Sequence, residues 1–383
     1  MTLQELHSNE AFRRQEFPVA SHKIFLAHAG VCPLPARVEQ AVRNYASGCT
    51  LGDQEAVWPS AQLTRFRERA ARLIQAQPEE IAFVGPTSLG LSYVAGGLSF
   101  RRNDNVLVYF DDYPSNVYPW MALADRGVEV RLLNIRTLGR VRPIDVLGQV
   151  DEATRLVALA SCHFLSGYRL DLNEIGAALR SRGIWFCVDG IQTVGAFPTS
   201  VQHVDFLAAD AHKWMLGPCG AGILYVRKQL QDQLQPIVFG WNNVRCPQFV
   251  AQEELVFRSG AQRYEVGTHN LLGLAGLGAA LELIEEVGVE QIAAELLRKR
   301  RWLIPALESK GFQVLESGAT DLNGSGIVTC FKPGADLPAL HQKLAEAGVI
   351  VSLRADRSGQ QYLRLSPHFY NTDAELVRVL ELL

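Results

Sequence analysis

An open α/β sheet followed by a smaller α+β unit is the fold this sequence predicts, on three observations. Short apolar runs of strand length alternate with stretches of helical periodicity from Ile24 to Val226. Several of these runs end in turns that combine Gly with polar residues, as at the edge where open α/β sheets bind ligands. From Phe312 the pattern changes to strand, helix, two strands and a last helix. A chain of 383 residues, 48% hydrophobic and 20% charged, is long enough for a large core and two lobes.

In order, Ile24–Leu26 reads as a strand, and Ala27 to Pro35 as a Gly/Pro-punctuated loop containing His28. Val38, Ala41, Val42 and Tyr45 share one helical face, as do Leu63, Phe66, Ala70, Leu73 and Ile74 in the next helix. Ile81–Val84 is a strand that turns through Gly85, Pro86, Thr87 and Ser88 into a helical run, Leu91 to Leu98. Further strands are expected at Asn105–Phe110, Val128–Leu133 and Arg155–Ala160, with a short helix near Ile144–Val150. Gly183–Val188, Val204–Ala208 and Gly222–Val226 complete the apolar runs. Two long helices follow, Leu271–Val287 and Gln291–Lys310. The tail has strands at Ile327–Phe331, Val349–Leu353 and Tyr362–Ser366, helix Leu337–Ala347 and a terminal helix from Asp373.

The chemistry concentrates at the ends of these runs. Lys213 lies between two buried strands, where an ammonium is costly, so its pKa should fall and its amine become nucleophilic. Taken alone, a lysine in such a loop reads as a surface residue. Asp189, however, ends the preceding apolar run. A lysine that can form an imine, beside an anion that keeps a pyridine nitrogen protonated, is the pair a pyridoxal 5'-phosphate enzyme requires. Thr87 and Ser88 at a helix start offer hydroxyls and free N–H groups to a phosphate, or serve simply as a cap. Arg364 sits mid-strand between Leu363 and Leu365, with a planar fork suited to an amino-acid carboxylate or to a buried ion pair.

The stretches VDGIQTVGAFP and DFLAADAHKWMLGPCGAGILYVR, with further matches from about Leu26 to Thr372, resemble the class V aminotransferase and cysteine desulfurase family. Phe164, Ser166, Gly167, Asp171 and Leu172 give a pattern similar to its isopenicillin-N-epimerase-like and cystine-lyase-like branch. The resemblance implies fold type I: a large domain, residues 20–262, with a mostly parallel seven-stranded sheet, and a small α+β domain made of residues 1–19 and 263–383. It implies that Lys213 carries the cofactor and that Asp189 faces its ring nitrogen. Thr87 and Ser88 then form the phosphate cup, Tyr113 stacks on the ring, Gln192 reaches O3′, and His212 reaches cofactor or phosphate. The alternative is that Tyr113 packs in the core. His28 stands where relatives carry an Asn that touches substrate, and His163 either replaces another Asn contact or is a packed bystander. Asp210 replaces a phosphate-binding Ser, so repulsion should turn it toward N–H donors elsewhere. Arg263-Tyr-Glu-Val-Gly-Thr268-His-Asn resembles the motif whose Thr serves the partner's phosphate, which implies a homodimer with shared active sites.

The bulk properties narrow the alternatives. A net charge of −3 offers no basic field for nucleic acid, and no apolar run is long enough to span a membrane. Seven scattered cysteines read as reduced thiols, and no zinc spacing occurs. The start, MTLQELHSNEAFRRQEF, lacks a signal-peptide core, so a cytoplasmic protein without a metal is expected. A nucleotide-binding protein is disfavoured, since no G-x-G-x-x-G or Walker sequence follows a strand. An inactive binding protein would have no use for Lys213 opposite Asp189. The expected reaction is at Cα of an amino acid, foremost C–S lysis by β-elimination, with transamination or epimerisation as alternatives. The segment 354–361 before Arg364 has no cysteine to carry a persulfide.

Overall fold

A computed structural model describes residues 1–383, the side chain of Ser60 excepted. The strands are β1 (Ile24–Phe25), β2 (Ile81–Val84), β3 (Asn105–Val108), β4 (Glu129–Leu132), β5 (Thr154–Ala160), β6 (Trp185–Asp189), β7 (Phe206–Asp210) and β8 (Gly222–Val226). In the second half come β9 (Gln313–Val314), β10 (Val328–Phe331), β11 (Val349–Ile350), β12 (Ser352–Ala355) and β13 (Gln361–Leu365). Seven of them form one sheet in the order β2-β8-β7-β6-β5-β3-β4, in which only β8 runs against its neighbours. The parallel strands β5 to β7 are buried along nearly their whole length, which explains why they read as continuous apolar runs rather than alternating ones.

Parallel pairing puts the carboxyl ends of β3, β5, β6 and β7 on one edge, and Asp189 and Asp210 are the last residues of their strands. The helix Thr87–Gly97 lies close on β7: a Cβ on Gly90 would stand 2.8 Å from that of Ala208, so only glycine permits this approach. Its amino end is thereby brought beside the end of β7.

The second half builds a four-stranded antiparallel sheet, β12-β13-β10-β9, and β11 pairs with β1. The run Val349–Leu353, expected as one strand, is therefore two. Val351 separates them, and the chain changes partners from β1 to β13 there. Helices at Leu3–Ser8, Glu10–Glu16 and Leu172–Ser181 were not anticipated. Among the described residues no helix is long and apolar enough to cross a membrane. The helix Leu271–Val287 sends Leu274, Leu277 and Leu281 into the core beneath the large sheet. On that ground we propose that the larger unit extends past residue 262 through this helix, with the smaller one beginning in the helix Val289–Glu308.

Candidate active site

Lys213 stands three residues past β7, in a loop folded back so that the Gly217 N–H donates to the Ala211 carbonyl at 2.9 Å. Within the loop Leu216 adopts φ +60°, a left-handed conformation that costs a branched side chain about 1 kcal/mol. Lys213 is 7% exposed, its Nζ lies 5.2 Å from the centre of the Tyr113 ring, and it has no hydrogen-bond partner among the described residues. Burial pulls its ammonium down to about 8, against the opposing charge of Asp189. Asp189 is fully buried, and burial first, with the charge of Asp112 second, raises its carboxyl to about 6. One of its oxygens accepts from the Ile191 N–H at 3.0 Å; the other has no protein donor among the described residues.

These two groups open onto a cavity of about 260 Å³ whose wall also includes Thr87, Ser88, Tyr113, Gln192, His212 and Arg364. Thr87 and Ser88 are the first two residues of their helix, so their N–H groups have no intrahelical acceptor. Ser88 Oγ donates to Ser115 Oγ at 2.8 Å. Tyr113 is 46% exposed and its ring forms part of the wall, so it does not pack into the core. Gln192 donates to the Ala29 carbonyl at 3.1 Å and accepts from Trp214 Nε1 at 2.8 Å, leaving one amide hydrogen free. Asp210 accepts from the N–H groups of Ala211, Gly220 and Ala221, and pairs with His212 Nδ1 at 2.7 Å. Its charge is thus directed to donors on its own loop.

Arg364 is almost wholly buried and has no carboxylate partner among the described residues. Its Nη1 donates to the Phe164 carbonyl at 2.6 Å and its Nε has no acceptor. The buried-ion-pair alternative does not describe it.

Three further residues stand outside the wall of this cavity. His28 does not line the cavity: it is fully buried, with Nδ1 donating to the Ser366 carbonyl at 2.9 Å and Nε2 bonded to the Tyr370 hydroxyl at 2.8 Å. Burial lowers its pKa to about 4, so it is a neutral packing group. His163 is likewise enclosed, bonded to Ser166 and to the Asp111 carbonyl. Thr268 is exposed outside the cavity and donates to Glu55 at 3.0 Å.

Sequence reasoning missed Asp112 and Arg354. Asp112 accepts from the N–H groups of Tyr113 and Ala160 and from Asn116 Nδ2, tying the end of β3 to β5 and orienting Tyr113. Its place beside Asp111, after a buried strand, was the available signal. Arg354 lines the cavity, and only strand register could have placed it there.

A carboxylate with one open oxygen, a buried amine without a partner and unpaired N–H groups at a helix start fit a cofactor with an aldehyde, a ring nitrogen and a phosphate. This donor set defines a class of enzyme that works through pyridoxal phosphate. Residues 24–379 match the family model described as "Aminotransferase class-V", and the chain belongs to that family of pyridoxal-phosphate-dependent enzymes. It is 29% identical to a probable cysteine desulfurase of Methanothermobacter thermautotrophicus, over 95% of this chain and 94% of the relative. The apo structure of a cysteine desulfurase from Thermococcus onnurineus superposes with a TM-score of 0.87 at 23% identity, covering 96% of this chain and 95% of that one. The cystine C–S lyase C-DES, in complex with its product cysteine persulfide, gives a TM-score of 0.85 at 23% identity, with 95% and 98% covered.

Proposed function

We propose that this enzyme breaks the Cβ–S bond of a cysteine-derived amino acid by β-elimination, without a persulfide on an enzyme cysteine. The observation that carries this reading is the set of thiols. Among the described residues no cysteine lines the Lys213 cavity. Burial pushes Cys32 and Cys330 up to about 12, and the exposed Cys219 is not part of the wall. The hairpin before Arg364, where a persulfide cysteine would be sought, is tied down by Arg357 Nε donating to Asp111 at 2.6 Å.

When bound, pyridoxal phosphate supplies an aldehyde for amines and a protonated ring that accepts the electron pair left at Cα. Asp189 would hold the ring nitrogen's proton, the start of the Thr87 helix the phosphate, Tyr113 one ring face and Gln192 the phenolic oxygen. Arg364 binds the substrate carboxylate and fixes which bond at Cα faces Lys213. Lys213, neutral in good part near pH 8, takes the Cα proton. The electron pair of the C–H bond becomes the Cα–Cβ double bond as sulfur leaves with the pair of the broken Cβ–S bond, and Lys213 returns the proton to the leaving thiolate. Water then converts the three-carbon product to pyruvate and ammonia.

The resemblance also supports a homodimer in which Thr268 serves the partner's phosphate site. Phe239, Trp241, Phe249, Val250, Leu255 and Val256 are all exposed in the segment before it, an apolar surface of the kind a second copy covers. A fully active monomer in the ultracentrifuge would rule this out. The reaction itself is tested by incubation with cysteine or cystine. Pyruvate with an unmodified protein mass is expected, whereas alanine together with a persulfide on Cys32 or Cys219 would overturn it.

A further inference from the structure

Gln192 lines the Lys213 cavity, and the orientation of its amide is set by two neighbours. An amide offers an acceptor on one side and donors on the other, and exchanging the two changes its shape little. Here each neighbour permits one answer. The Trp214 indole N–H can only donate, and it holds Gln192 Oε1 at 2.8 Å; the Ala29 carbonyl can only accept, and it holds Gln192 Nε2 at 3.1 Å. With the oxygen and one hydrogen engaged, the second amide hydrogen is what remains. Gln192 is 2% exposed, and among the described residues Trp214 is the sole donor to its oxygen.

Trp214 is itself held. Its carbonyl accepts from His368 Nε2 at 3.0 Å, and the Phe369 N–H donates to His368 Nδ1 at 2.9 Å, which places the ring hydrogen on Nε2. Burial keeps His368 well below the ordinary histidine range, so the ring is neutral. A Cβ on Gly326 would stand 2.8 Å from Trp214 Cη2, so glycine there makes room for the far edge of the indole. Gly195, at φ +89°, lets the turn after Gln192 pack on the Lys213 loop: a Cβ on it would stand 2.9 Å from Met215 Cα. The lysine, the indole next to it in sequence and the amide are thus fixed relative to one another.

We propose that Trp214 is a positioning residue, whose indole N–H fixes the Gln192 amide so that a donor, never an acceptor, meets the phenolic oxygen of the bound cofactor. The inference rests on the reading that Gln192 reaches that oxygen, and it is independent of the reaction proposed above. A donor on the oxygen stabilises its negative charge and weakens its hold on a proton shared with the Lys213 nitrogen. That proton is therefore lost at a lower pH than it would be without the bond.

Bound pyridoxal phosphate absorbs differently with and without this proton, so titrating the loaded enzyme with base, in the absence of any amino acid, reads the midpoint without turnover. Gln192→Leu should raise the midpoint by about one pH unit, a tenfold change in proton affinity. Trp214→Phe should raise it by a large part of that, and Gln192→Leu/Trp214→Phe no further than Gln192→Leu alone. Replacing Trp214 by benzothienylalanine, which keeps the ring shape and carries sulfur in place of the N–H, should give the same shift and serves where Trp214→Phe does not fold. A role in packing alone would leave the midpoint unmoved, or move it equally with and without Gln192. Either result overturns the proposal. If Gln192→Leu also leaves the midpoint in place, the assignment of Gln192 to the phenolic oxygen fails as well; if only the Trp214 replacements are silent, that assignment stands.

Discussion

Lys213 and Lys299 are both buried, 7% and 0% exposed, and burial pulls each ammonium down to about 8. Their surroundings differ in kind. Lys299, on the helix Val289–Glu308, donates to Glu295 one turn earlier and to the Phe369 carbonyl, so its charge is matched within the fold. Lys213 has a carboxylate nearby, no hydrogen bond among the described residues and a cavity in front of it. A lowered pKa thus does not by itself mark a reactive amine. What marks it is a lowered pKa without protein partners and with room for a ligand.

The largest effect should come from the unpartnered lysine. Lys213→Ala should lower turnover by at least about a thousandfold, since nucleophile and proton carrier are lost together. Peptide mapping after borohydride reduction should find the pyridoxyl label on Lys213 in the parent and on no residue of the variant. A label on Lys299 would abolish the distinction.

On the partnered side the loss should appear in stability. Glu295→Gln strands the Lys299 ammonium and should cost about 3–5 kcal/mol in denaturant titration, with much of it recovered in Glu295→Gln/Lys299→Met. A change below about 1 kcal/mol would mean that the pair is not what holds the charge.

A somewhat smaller effect is expected at Arg364, the buried cation with no carboxylate partner among the described residues. Arg364→Ala should weaken amino-acid binding by about 2–4 kcal/mol with cofactor content retained. Equal loss of cofactor would show that it holds the fold instead.

The smallest effect is a shift of pH dependence. A lysine pulled down to about 8 is half neutral there, so acetylation of Lys213 in the cofactor-free chain should rise with pH and level off above about 8. Surface lysines should still be gaining reactivity at pH 10. The Asp189 charge opposes the shift, so in Asp189→Asn the midpoint should move below 8. A midpoint near 10 in the parent would remove the argument from burial.

Much of this was legible in the sequence because its cause is local. A sheet strand covered on both faces must be apolar along its length, so the parallel β5, β6 and β7 and the antiparallel β8 were visible as runs, and the residues at their ends followed. Lys213, Asp189, Thr87 and Ser88 could be assembled in advance because each is attached to a strand end or helix start whose place in such a sheet is fixed by topology. What only the tertiary structure decided depends on partners far along the chain. His28 became a core group because Ser366 and Tyr370 enclose it from more than three hundred residues away. Val349–Leu353 divided because β1 and β13 compete for it, a choice absent from its own residues. Arg354 read as part of the loop 354–361, whose residues are mostly polar. Hairpin register and the Arg357 anchor on Asp111 and Phe110, long-range contacts with no trace in local periodicity, place it on the wall of the Lys213 cavity.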